Sequence, residues 1–145
     1  MKNIFLADDD ADDVMFFEDA LNGLSLATEL TVTVDGAALM NKLDEVVPPP
    51  PDAIFLDLNM PRKSGFECLT EIRKDPKLKN IPVVIFSTSD HPNSIETTYS
   101  LGANYYICKP RSFELLKEAV KTILFLDDSQ LTKQPSKENY FLKFG

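Results

Sequence analysis

A chain of 145 residues, 43% of them apolar, can bury a core of its own without disulfide or metal staples. Twenty-three acidic residues against fifteen basic ones give a net charge of -8 with no basic cluster, which argues against direct binding to nucleic acid or to an anionic membrane. Met1-Lys2-Asn3 leads into an apolar run too short for a signal peptide or a membrane span, and Cys68 and Cys108 lack metal-site spacing, so a reducing, cytoplasmic setting is expected.

Strand-like and helix-like segments alternate five times along the chain. Residues 4–7 are continuously apolar, as in a strand covered on both faces, and run into Asp8-Asp9. Asp10 is placed to cap the next helix, with Asp12 and Asp13 as dipole partners and Val14, Phe17, Leu21 and Leu24 at helical spacing. Leu30-Thr31-Val32-Thr33-Val34 alternates, the mark of an edge strand with one wetter face. Asp35 caps a helix bearing Leu39, Met40 and Leu43, which Pro48-Pro49-Pro50-Pro51 ends. With so few residues between two elements, that run is read as a rigid connector in preference to a polyproline docking motif.

Ala53-Ile54-Phe55-Leu56 is a third, fully apolar strand ending in Asp57. Ser64-Gly65-Phe66-Glu67 fits a capping box opening a helix that stops near Asp75-Pro76. Residues 83–86 form a fourth strand ending in Ser87. Pro92 fits the first turn of the following helix and Gly102 its stop, while His91, the only histidine, is read as a loop residue. Tyr105-Tyr106-Ile107-Cys108 is a fifth strand ending in Lys109, and Phe113, Leu116, Val120, Ile123 and Leu124 form the apolar stripe of the last helix. Beyond a domain of residues 1–128, residues 129–145 are polar up to Asn139 and close on Tyr140-Phe141-Leu142-Lys143-Phe144. They are read as a frayed tail with a few docked residues, in preference to a partner-binding peptide.

Five βα units imply right-handed crossovers and an α/β fold, a doubly wound five-stranded parallel sheet with helices on both faces. The alternating second strand belongs at an edge, which favours the flavodoxin-like (βα)5 order 2-1-3-4-5. In such sheets chemistry collects where the strands end. Four strand ends thus bring Asp8, Asp9, Asp57, Ser87 and Lys109 to one small volume. Two like charges about 4 Å apart cost roughly 4 kcal/mol at an effective dielectric of 20. A hard dication offsets that cost where a purely structural role would not. Acids, a hydroxyl and an amine together suit a divalent cation and a phosphoryl group.

These pieces resemble the receiver domain of two-component response regulators. They are the pair Asp8-Asp9, Asp57 in Asp57-Leu58-Asn59-Met60-Pro61 with Gly65 following, then Ser87, Tyr106 and Lys109-Pro110. The likeness covers nearly the whole chain. It implies a phosphorylation-activated switch in which Asp57 accepts a phosphoryl group from a histidine kinase or a histidine phosphotransfer protein of a phosphorelay. It implies Mg²⁺ held by Asp9, Asp57 and the backbone carbonyl of Asn59, with Asp8 acting through a bound water. Lys109 and Ser87 would contact phosphoryl oxygens, Ser87 and Tyr106 would form the switch, and a cis bond would precede Pro110. Asn59 and Ser89 would tune phosphoryl loss, and as small polar residues they predict a moderate to short lifetime. The face of the fourth helix, fifth strand and fifth helix would meet a downstream protein. The expected molecule is a monomer or a phosphorylation-dependent dimer that catalyses only its own Mg²⁺-dependent phosphorylation and dephosphorylation.

The departures from the family pattern are Arg62-Lys63-Ser64 in the loop before Gly65, Arg111 after Lys109-Pro110, and Ser87 where Thr is commoner. They leave the kinase and the partner open. Other readings fit less well. A phosphorylation-independent binding module would have lost an acid, the lysine or the hydroxyl, and all are present. A haloacid-dehalogenase-like phosphatase carries a second Asp where this chain has Asn59. A flavodoxin needs a Ser/Thr/Gly-rich phosphate loop where this chain has Asp8-Asp9-Asp10.

Overall fold

Three strands of nearly unbroken apolar sequence occupy the middle of the sheet. They are β1 (Lys2–Ala7), β3 (Ala53–Leu56) and β4 (Val83–Ser87) in a computed structural model that describes residues 1–144. β2 (Thr28–Thr33) lies at one edge, half-buried along most of its length, as its alternation predicts. β5 (Tyr105–Cys108) follows β4, and all neighbouring pairs run parallel.

The helices α1 (Ala11–Asn22), α2 (Gly36–Val46), α3 (Gly65–Lys74), α4 (Pro92–Ser100) and α5 (Phe113–Leu124) alternate with these strands. One face of the sheet packs on α1 and α5 through Phe17, Leu21, Leu116, Val120 and Ile123. Edge-to-face contacts among Phe17, Phe55 and Phe86, with centroids 4.9–6.2 Å apart, fill its centre. The other face packs on α2, α3 and α4 through Leu39, Leu43, Leu69 and Ile72, with Ile95 and Tyr99 of α4 packed against them. Tyr106 faces this second layer and Tyr105 the first, since neighbours on a strand point to opposite faces. The predicted α5 stripe needs one correction. Phe113 is exposed, because it stands at the first position of the helix, and the buried stripe begins at Leu116.

Each of these five helices starts where a side chain satisfies free N–H groups. Asp10 accepts from Asp12 and Asp13, Asp35 from Ala38, and Ser64 forms the full capping box with Glu67. His91 is more than a loop residue, because its Nδ1 accepts from Asn93 N–H and caps α4.

The tail is built into the fold rather than frayed. After α6 (Asp128–Thr132) and α7 (Lys137–Tyr140), a short strand β6 (Phe141–Leu142) pairs with β5, and the sheet has six strands in the order β2-β1-β3-β4-β5-β6. An unpaired β5 edge would leave backbone groups bare beside apolar surface, and β6 supplies the missing partners. Tyr140 is fully buried, its ring meets Tyr99 and Tyr106 edge-on, and its hydroxyl pairs with Thr98 Oγ1 at 2.7 Å. The Tyr99 hydroxyl donates to Pro135 O, and the Asn104 amide donates to Leu131 O. Truncating Tyr140 should therefore be felt by the whole domain. Tyr140→Ala is expected to destabilise by about 3–5 kcal/mol and Tyr140→Phe by about 1 kcal/mol in urea unfolding. An unchanged midpoint for Tyr140→Ala would mean that the tail does not dock in solution.

Candidate functional site

The C-terminal ends of β1, β3, β4 and β5 meet at one edge of the sheet, and each delivers a polar side chain there. Asp8 follows β1, where its N–H is fixed by Thr33 O, and its own Oδ1 accepts from Asp10 N–H. Asp57 follows β3, held in place by its N–H on Ala7 O, and its Oδ1 accepts from Leu58 N–H at 2.8 Å. Gly65 allows the loop after Asp57 to close. A Cβ there would stand 2.3 Å from Asp57 O, so only glycine permits the approach that lets Gly65 N–H bond Leu58 O. Ser87 ends β4 fully buried, and Lys109 N–H bonds Ser87 O at 2.7 Å, which ties the ends of β4 and β5 together.

Asp8, Asp9 and Asp57 each offer a carboxylate oxygen, and these atoms lie within 4.8 Å of one another. Asp8 is buried and Asp57 nearly so, whereas Asp9 opens to solvent. The Lys109 ammonium donates to Asp8 Oδ2 at 2.7 Å, lies 3.6 Å from Asp57 Oδ2, and sits 5.4 Å from the centre of the Phe86 ring. Its side chain is 8% exposed, so it is no surface lysine.

Burial pushes the Asp57 carboxyl up to about 6. Lys109 pulls it down, and the charge of Asp8 adds to the rise. Burial also raises Asp8, against its bond to Lys109. For Lys109, burial alone would favour the neutral amine. The bonds to Asp13 and Asp8 and the charge of Asp57 outweigh it and hold the ammonium charged.

Asn59 is exposed on the loop after β3. Ser89 is half-buried, and its Oγ accepts from His91 N–H. Tyr106 is fully buried, and its hydroxyl donates to Ser89 O at 2.7 Å. The expected cis bond before Pro110 is corrected: the cis bonds among the described residues are Val47–Pro48 and Pro48–Pro49, and Lys109–Pro110 is trans. Trans is the lower-energy form of such a bond, and the long stem of Lys109 reaches the acids from it. One residue of the site was not foreseen as such. Asp13 Oδ2 accepts from Lys109 Nζ at 2.7 Å. In the sequence, a first-turn acid is already accounted for by the helix dipole, so no signal set it apart.

Residues 4–121 match the response regulator receiver domain family. The chain belongs to that family. Response regulator Rcp1 of a Synechocystis strain is 36% identical over 84% of this chain and 86% of its own length. A structure of the Mn²⁺-bound form of Rcp1 superposes with a TM-score of 0.77 at 35% identity, over 85% of this chain and 91% of that one. The phosphorylated cyanobacterial phytochrome response regulator RcpA gives 0.78 at 39% identity, over 84% and 90%. This receiver is thus a phosphorylation-activated signalling switch, and receivers of this kind work with histidine kinases or phosphotransfer proteins and with downstream targets. Its acid cluster fits a divalent cation, since three hard oxygen donors converge where one ammonium cannot neutralise them all. No described helix is long and apolar enough to cross a membrane.

The raised Asp57 group makes stability depend on pH. Its folded value, about 6, lies above the usual carboxylate range. Its contribution is therefore fully present below about pH 4 and is lost as pH rises through 6. In chelator, Asp57→Asn should be more stable than wild type at pH 8, by about 1–3 kcal/mol. The gap should close as pH falls from 6 to 4, read by urea unfolding. A less stable Asn variant at pH 8 would contradict this account of the cluster.

Proposed function

We propose that Asp57 is the phosphoryl acceptor of this receiver, that the dication is Mg²⁺, and that the donor is a histidine kinase or a histidine phosphotransfer protein. The observation that carries the reading is a nearly buried carboxylate at the end of β3, with Asp8 and Asp9 oxygens within 4.8 Å and an ammonium 3.6 Å away; burial also lifts it to about 6. A more basic carboxylate is a better nucleophile. An Asp57 oxygen forms the new P–O bond while the P–N bond of phosphohistidine breaks, and the imidazole leaves and takes up a proton. Asp9, Asp57 and the Asn59 carbonyl would hold Mg²⁺, with Asp8 acting through water, and the metal would neutralise charge on the phosphoryl oxygens. Lys109 supplies a point charge and Ser87 a hydroxyl donor to those oxygens.

The switch follows from the same contacts. Ser89 N–H donates to Ser87 Oγ, and Ser89 O accepts from the Tyr106 hydroxyl, so the two switch residues share one loop. Moving a two-state element from 1:99 to 99:1 takes about 5.5 kcal/mol. Several charge-assisted hydrogen bonds to one phosphoryl group are of that order. We assign output to the surface of α4, β5 and α5, a face to which the docked tail also contributes, in a molecule that is a monomer or a phosphorylation-dependent dimer. Exposed Met15 and Phe16 on α1, and Phe113 at the start of α5, offer the phosphodonor apolar ground beside the acceptor. The free thiols Cys68 and Cys108 suit a cytoplasmic setting.

The experiment is incubation with Mg²⁺ and acetyl phosphate, read by intact mass. One phosphoryl adduct is expected. It should be absent with Asp57→Asn or with chelator. It should also decay without persisting for many hours, because neither exposed Asn59 nor Ser89, whose side chain is turned to His91, shields it from water. No adduct on the wild type would overturn the assignment.

A further inference from the structure

Lys109 is held by an acid outside the set of groups assigned so far. Its ammonium donates to Asp8 Oδ2 and to Asp13 Oδ2, each at 2.7 Å, while Asp57 Oδ2 stands back at 3.6 Å. An ammonium has three N–H donors, and two of them are engaged at full hydrogen-bond length. Asp8, Asp57 and Lys109 sit at strand ends, but Asp13 reaches in from the first turn of α1. The two gripping acids are not equivalent. The Asp8 side chain is fully buried, and the Asp13 side chain is 31% exposed. Pulling Lys109 off Asp8 would strand a carboxylate without water, which is costly. Pulling it off Asp13 leaves a carboxylate that solvent can take over. Asp13 is therefore the partner that Lys109 can release.

We infer that Asp13 is a positioning residue for phosphoryl transfer: it anchors the Lys109 ammonium short of Asp57 in the resting receiver and yields it to a phosphoryl oxygen once Asp57 is modified. The inference rests on Asp57 being the acceptor. A contact present before modification and lost after it stabilises the resting state alone. Asp13 thus sets how readily the site fills, and Asp57, Asp8 and Lys109 do the chemistry.

The test is the phosphorylated fraction at limiting acetyl phosphate with Mg²⁺, by intact mass, for wild type, Asp13→Asn and Asp12→Asn. Asp12 lies in the same helical turn with an exposed side chain, so its variant removes the same charge and dipole partner without touching Lys109. The ratio of phosphorylated to free protein is expected to rise about three- to tenfold in Asp13→Asn, as for one half-exposed charge-assisted contact, and to stay at the wild-type value in Asp12→Asn. Urea unfolding of the metal-free protein supplies a second readout. Asp13→Asn and Lys109→Met should be non-additive, coupled by about threefold or more in the folding constant. Equal ratios for the two Asn variants, a fall in Asp13→Asn, or strict additivity would each overturn the inference while the acceptor assignment stood. Absence of any adduct on the wild type would remove the acceptor assignment and this inference with it.

Discussion

One ammonium keeps the acids of this receiver together. Lys109 is nearly buried among Asp8, Asp13 and Asp57, with Asp9 completing the cluster at the solvent edge. Four carboxylates thus face a single fixed positive charge. Each unrelieved pair at about 4 Å costs roughly 4 kcal/mol at an effective dielectric of 20, so the ammonium needs the rest of the fold to help hold the cluster in place. The remaining excess of negative charge is also what makes the site selective. It gives a dication something to neutralise and repels a bare anion.

The fold supplies that constraint through its strands. Parallel neighbours in register place Ala7 beside Leu56 and Ser87 beside Cys108, so the residues just beyond them must meet. Sheet hydrogen bonds continue past the strands to Asp8, Asp57 and Lys109. The acids therefore inherit the rigidity of a core whose strands are buried on both faces. Gly65 extends the same constraint to the loop, since the chain after Asp57 can fold back only where no Cβ intervenes.

What could be read from the sequence follows from how each feature is encoded. The central strands are apolar without interruption because both faces are covered, and their ends are marked by the first charge or hydroxyl, so Asp8, Asp57, Ser87 and Lys109 were legible as a group. The strand order was legible because only β2 alternates. Asp13 was not, because its spacing satisfies a helix start whether or not a lysine reaches it. The docked tail was hidden for another reason. Its two-residue strand has no period of its own, and Tyr140 gains meaning only beside Thr98 and Tyr106, which are distant in sequence. The cis bond expected before Pro110 rests on family likeness alone, with no residue of this chain requiring it, and the geometry does not reproduce it.

The tail also constrains Tyr106. Tyr106 is pinned at one end by its hydroxyl on Ser89 O and walled along its ring by Tyr140 and Phe141, whose centroids lie 6.2 and 5.6 Å away. The ring is fully buried, and an outward swing would displace Phe141, which is paired in register with Tyr106 itself. Close-packed interiors respond to such displacement by discrete rearrangement and not by gradual give. The docked tail thus favours the inward position of Tyr106, and the Tyr106 hydroxyl in turn holds the loop after β4 through Ser89 O.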